Sequence, residues 1–294
     1  MDYLSDHPQG KELIDRYRTS AQKEQFARDI VKTFPILKDT TPGMEGHIHE
    51  MKYTPPTKVN KSRILSLFKE THHHRRNWLM QKTVDITTFL QEYPRMQDMP
   101  ELVNVEFQQL YPDNHSAFLR KWESFYVPRI LQIALEEYPS ITSTVKSFDG
   151  GDQNLCAAVV LAHMLFRTSK KVSSRADAIK YLYQTVPLGT DLADEARRKD
   201  VCYKQPFLLA VGPLKQPTQY VMVVDQLSIP AGDSPVTAID ALFKAYYCFN
   251  VEFPISVSQF WEFLAFEVNE VMDKKEAKPQ VRSLASIIRG LAAK

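Results

Sequence analysis

The chain has 294 residues, 44% apolar and 24% charged, which fits a folded globular protein of one large domain or two ordinary ones. Its 37 basic and 35 acidic residues leave a formal net charge of +2, so no global basic excess argues for nucleic acid and any such case must rest on a local cluster. Cys156, Cys202 and Cys248 are odd in number, widely spaced and without a CxxC, which argues against a disulfide framework or a cysteine-rich zinc module.

Taken in chain order, residues 8–36 predict one or two helices, ending at Pro35. Residues 38–58 hold Pro42, Gly43, Gly46, Pro55 and Pro56 and predict an irregular connector. One helix is expected over 60–82, with Ile64, Leu65, Phe68, His72 and Leu79 on one face and Asn60 or Ser62 as cap. Shorter helices follow at 86–93 and 100–110. A long one at 114–138 should be kinked or divided by Pro128. Asp149-Gly-Gly-Asp152 reads as a loop and helix cap before an apolar helix at 153–167. Helices at about 175–185 and 190–199 come next. Phe207–Val211 and Tyr220–Val224 are β-prone runs around a turn-rich loop and predict a hairpin, with 229–232 as its exit. Helices at 235–248 and 257–272 and a weakly amphipathic tail complete the chain. The fold class is therefore mainly α, a multi-helix globular protein with one β-hairpin at about residues 206–226 packed against C-terminal helices. A soft boundary separates a helical part, 1–145, from a mixed part, 146–273, and a tail, 274–294; one continuous domain fits equally well.

Residues 58–82 carry seven cations, Lys58, Lys61, Arg63, Lys69, Arg75, Arg76 and Lys82, against one carboxylate, Glu70. Such a helix, with Trp78 nearby, suits phosphate contact through Lys61, Lys69, Arg75, Arg76 and Lys82, or an acidic protein partner. The simpler reading is a solvated face balanced by acidic neighbours after folding. Within it, His72, His73 and His74 cannot share one ion from a helix, since neighbours diverge by about 100°; one half-buried and two exposed rings are expected, and no metal.

Other catalytic templates lack their parts. No GxGxxG or GxxxxGK[ST] supplies a phosphate cradle, no GxSxG a nucleophile elbow, and no HExxH a metal helix. No cofactor is expected, and the reading is that the chain is not an enzyme. The densest aromatic stripe runs from Phe243 to Phe266. Core packing is its default role, with Phe260, Trp261 and Phe266 as the alternative, a protein interface. The N-terminus shows no apolar signal segment, and the most apolar stretch, Leu155 to Phe166, is too short for a bilayer. An intracellular protein, cytoplasmic or nuclear and off the membrane, is expected.

Several segments also carry a resemblance. They are Ala27-Arg-Asp-Ile-Val-Lys-Thr-Phe-Pro-Ile-Leu-Lys-Asp39, Arg75-Arg-Asn-Trp-Leu79 with Ile86 and Tyr93-Pro94, Val105-Glu-Phe107, the hairpin ending in Val224-Asp225, and Leu242-Phe-Lys-Ala-Tyr-Tyr-Cys-Phe-Asn-Val-Glu-Phe-Pro254. In this order the set resembles the region downstream of the SAM domain in vertebrate, especially fish, sterile alpha motif domain-containing protein 3-like proteins. The chain departs from that pattern at residues 43–57 and shows no SAM domain. The resemblance implies an intracellular, non-enzymatic interaction protein or scaffold and assigns no catalytic or cofactor residue.

Overall fold

The computed structural model describes Asp29, Thr33 and residues 44–81, 84–170, 172–198 and 205–291. The helices expected over 8–36 lie almost wholly outside the described residues. The chain divides into two units at residue 49, and every element from Lys61 onward belongs to the second, Glu50–Lys294. The fold is mainly helical with a small sheet.

The connector expected at 38–58 contains a helix, α1 (Met44–Tyr53). Gly46 lies inside this helix, and Pro55 and Pro56 follow its end, where they punctuate without breaking it; Pro42 and Gly43 lie outside the described residues. The single helix expected over 60–82 is two, α2 (Lys61–Glu70) and α3 (His72–Leu79). Thr71 stands at the break, and its hydroxyl donates back to Leu67 O at 2.8 Å, a bond that bends helices. Asn60 makes no side-chain cap; its Oδ1 accepts from Thr57 N at 2.7 Å instead. Helices α4 (Ile86–Glu92), α5 (Arg95–Asp98) and α6 (Glu101–Leu110) follow, α4 capped by Asp85.

Pro128 divides the next helix as its chemistry requires. It cannot donate to the carbonyl four residues back, and its ring crowds that carbonyl. The chain answers with a π turn, Trp122–Tyr126, between α7 (Ala117–Lys121) and α8 (Val127–Glu137); Val127 N–H closes it onto Trp122 O. Helix α9 (Pro139–Ser147), which the sequence reading missed, precedes the glycine turn. Asp152 then caps α10 (Gln153–Met164), its Oδ1 accepting from Asn154 N at 2.8 Å and Leu155 N at 3.1 Å. Being apolar all round, α10 is buried nearly along its whole length.

The hairpin forms, within a larger sheet. Strands β1 (Tyr183–Val186), β2 (Phe207–Val211), β3 (Gln219–Val224) and β4 (Leu227–Gly232) lie in the order β1-β2-β3-β4, with β1 parallel to β2 and the rest antiparallel. The predicted helix at 175–185 shortens to α11 (Arg175–Ile179) and releases β1. The predicted exit at 229–232 is β4, where Pro230 is tolerated because it stands on an edge, next to a bulge at Tyr220/Val221. Phe207, Leu209 and Val211 on one face of β2 pack with Val186, Val223 and Ala196 of α12 (Leu192–Arg197). Strands β2, β3 and β4 also meet α13 (Pro235–Cys248), so the hairpin does pack on a C-terminal helix. After α13 come α14 (Ser258–Phe263), a second π turn, Leu264–Val268, and α15 (Pro279–Gly290). No helix among the described residues is long and apolar enough to cross a membrane.

Candidate functional site

Two clefts open on this framework. The first is built around the end of α13. Val251 N–H reaches Tyr246 O at 2.9 Å and Asn250 N–H reaches Tyr247 O at 3.3 Å, with Asn250 at φ 52°. This is a Schellman ending with asparagine in the left-handed position where glycine is commoner. Arg76 of α3 adds a cation to the helix's negative pole, its Nη1 donating to Tyr247 O at 3.0 Å and Cys248 O at 3.1 Å. The ending turns residues 250–253 away from the helix and leaves a cleft of about 510 Å³ between them, the end of α6 and the loop before α15.

Its walls are aromatic. Tyr111 and Tyr247 meet edge to face, ring centroids 5.5 Å apart at 86°, and Tyr247 meets Phe253 at 6.1 Å and 72°. All three rings are half-buried. Glu252 and Glu276 stand exposed at the mouth, and Arg76 closes one side. Burial raises the Tyr247 hydroxyl above its usual range, and Tyr111 and Glu276 push it the same way. Burial also raises Tyr111, with Arg76 opposing and Glu276 adding. Both phenols therefore stay protonated at neutral pH, as hydrogen-bond donors rather than bases.

The second cleft, about 620 Å³, lies where the two π turns meet and includes Phe125, Phe266, Arg120 and Lys121. Tyr126 donates to Glu267 O at 2.9 Å. Two of its cations are paired internally, Lys121 with Glu270 and Arg289 with Glu267 at 3.4 Å, while Arg120 donates to the neutral Ser116 Oγ. Burial raises the Glu267 carboxyl, opposed by Arg289.

The structure scatters the residues singled out from sequence. Arg75 lies in the interior, bonded to Phe68 O at 2.7 Å, Thr71 Oγ1 at 2.6 Å and Glu106, with its guanidinium 3.5 Å from the Phe68 ring centroid. It cannot meet a phosphate in the folded chain. Lys61 pairs with Glu101 at 2.5 Å, Arg63 with Glu50 at 2.8 Å, and Arg76 serves α13. Lys58 and Lys69 are exposed, and Lys82 lies outside the described residues. The acidic neighbours thus absorb much of the expected basic face. His72 is buried beside Glu106 and His73 and His74 are exposed, close to expectation. Among the described residues no group of three or more His, Cys, Asp or Glu is placed to hold a metal. Phe260 and Trp261 are fully buried and so cannot form a surface, whereas Phe266 lines the second cleft. Cys156 and Cys248 are core residues, their thiols raised by burial; Cys202 lies outside the described residues. Tyr111 and Glu276 of the first cleft escaped sequence reading, because nothing local marks a residue just after α6 and one just before α15 that the fold brings to the end of α13.

No protein-family model matches the chain, and no curated protein or solved structure matches it either.

Proposed function

We propose that this chain is a non-enzymatic interaction module that docks a segment of a partner polypeptide in the cleft at the end of α13. One observation carries the reading. Most of the C-terminal aromatic stripe is interior, yet Tyr247 and Phe253, with Tyr111, keep part of their rings open to a cleft of about 510 Å³. Tyrosine, phenylalanine and arginine are among the side chains that protein interfaces enrich, and the aromatic ones add large contact area at low entropic cost. The cleft volume falls in the range of preformed ligand pockets, about 300–1,000 Å³. The protonated phenols supply donors for a backbone carbonyl and no nucleophile. The resemblance to the region downstream of the SAM domain points to the same class of function.

Selection of peptides from a random display library on the purified chain tests this. Enriched peptides should bind the native chain and lose at least about tenfold in affinity to the Tyr247→Ser variant, which removes one wall of the cleft. A library yielding no specific peptide, or peptides that bind the variant equally well, overturns the proposal.

A further inference from the structure

We infer that the α13 cleft captures a cationic side chain, a lysine or arginine of the docked segment. The inference rests on the peptide-docking reading and names what the cleft recognises. Two carboxylates, Glu252 and Glu276, stand exposed at its mouth, and among the described residues neither has an ion-pair partner. This sets the cleft apart from the second one, where Lys121, Glu270, Arg289 and Glu267 already satisfy one another. The walls agree with the rim. Tyr111, Tyr247 and Phe253 line the cleft and are half-buried, so part of each ring stays open to it. Aromatic faces carry negative electrostatic potential and attract ammonium and guanidinium groups. The one cation in the lining among the described residues, Arg76, is committed to the carbonyls that end α13 and is balanced there by the helix's negative pole. Lys274 and Lys275 precede Glu276 in sequence but do not line the cleft. A lysine stem would lie along the rings with its ammonium between the two glutamates.

The test follows the ring resonances of Tyr111, Tyr247 and Phe253 by NMR during titration of the full chain with three probes. These are N-acetyl-lysine methylamide, tetramethylammonium, and N-acetyl-norleucine methylamide as the uncharged counterpart of lysine. Both cations should shift the three rings saturably, and the norleucine amide should bind roughly five- to thirtyfold more weakly. The Glu252→Gln/Glu276→Gln variant, altered only at exposed positions, should keep the native thermal midpoint and lose that preference. Norleucine binding as well as lysine, or no shift from either cation, overturns the inference. If display peptides still dock in the cleft in that case, only the cation preference fails; if none docks, the docking reading fails separately.

Discussion

Replacing Glu106 by glutamine should be among the most damaging single changes in the protein, although it preserves shape almost atom for atom. Arg75 and Glu106 are interior, with side-chain exposures of 0% and 3%. The guanidinium has two neutral acceptors in Phe68 O and Thr71 Oγ1 and, among the described residues, one counter-charge, Glu106. His72 Nδ1 lies 3.2 Å from Glu106 Oε1, near enough for an ion pair when protonated but poorly aligned for a hydrogen bond. Removing the carboxylate therefore strands a buried cation, a loss of about 3–5 kcal/mol. For a unit of this size that lowers the melting midpoint by roughly 6–20 °C. The double variant Arg75→Met/Glu106→Leu, which removes both charges, should recover much of the loss. Urea denaturation of the native chain, the single variant and the double variant reads the cycle. A loss below about 1 kcal/mol for Glu106→Gln, or a double variant less stable than the single, refutes the reasoning. The pH dependence carries a second check. Burial pushes the Glu106 carboxyl up, but His72 and Arg75 together outweigh it and hold it below 4.5. A depressed carboxyl stabilises the fold above its unfolded value and loses that contribution as pH falls through the native one. The gap between the native chain and Glu106→Gln should therefore be constant near neutrality and close below about pH 4.5.

Three further outcomes are expected. Gly151→Ala would put a Cβ 2.7 Å from Lys215 O, the carbonyl that also accepts from Asp152 N, and should cost about 1–3 kcal/mol by denaturant titration. His163 is pushed down to about 4 by burial, with Arg175 adding. Its neutral form is favoured in the fold, so the native chain should lose stability relative to His163→Leu as pH falls from about 6.5 towards 4, seen as diverging melting midpoints. Arg76→Met removes the cation from the end of α13 and should cost about 0.5–2 kcal/mol, with amide exchange quickening first at residues 247–251.

What was legible in the sequence was whatever short-range pattern decides. The hairpin announced itself through two β-prone runs and a turn-rich loop, and the Asp152 cap through its position before an apolar run. Pro128 forecast a divided helix because its missing N–H acts within one turn. The illegible parts depend on distance. β1 is only four residues long and is paired by a strand more than twenty residues on, so in sequence its first residues read as the end of a helix. β4 contains Pro230, which marks a chain exit unless the strand is known to be an edge. Arg75 reads as surface charge because its partner is 31 residues away. Trp261 and Phe266 share one stripe, yet one is interior and the other borders a cleft, since five residues along an α-helix turn a side chain by about 140° onto another face.

Mapping a library-selected peptide onto the chain by amide and ring chemical-shift changes bears most directly on the docking of a partner segment. Perturbations confined to Leu110, Tyr111, residues 246–253 and residues 271–276 are expected. Perturbations centred elsewhere, including the cleft between the π turns, would contradict it.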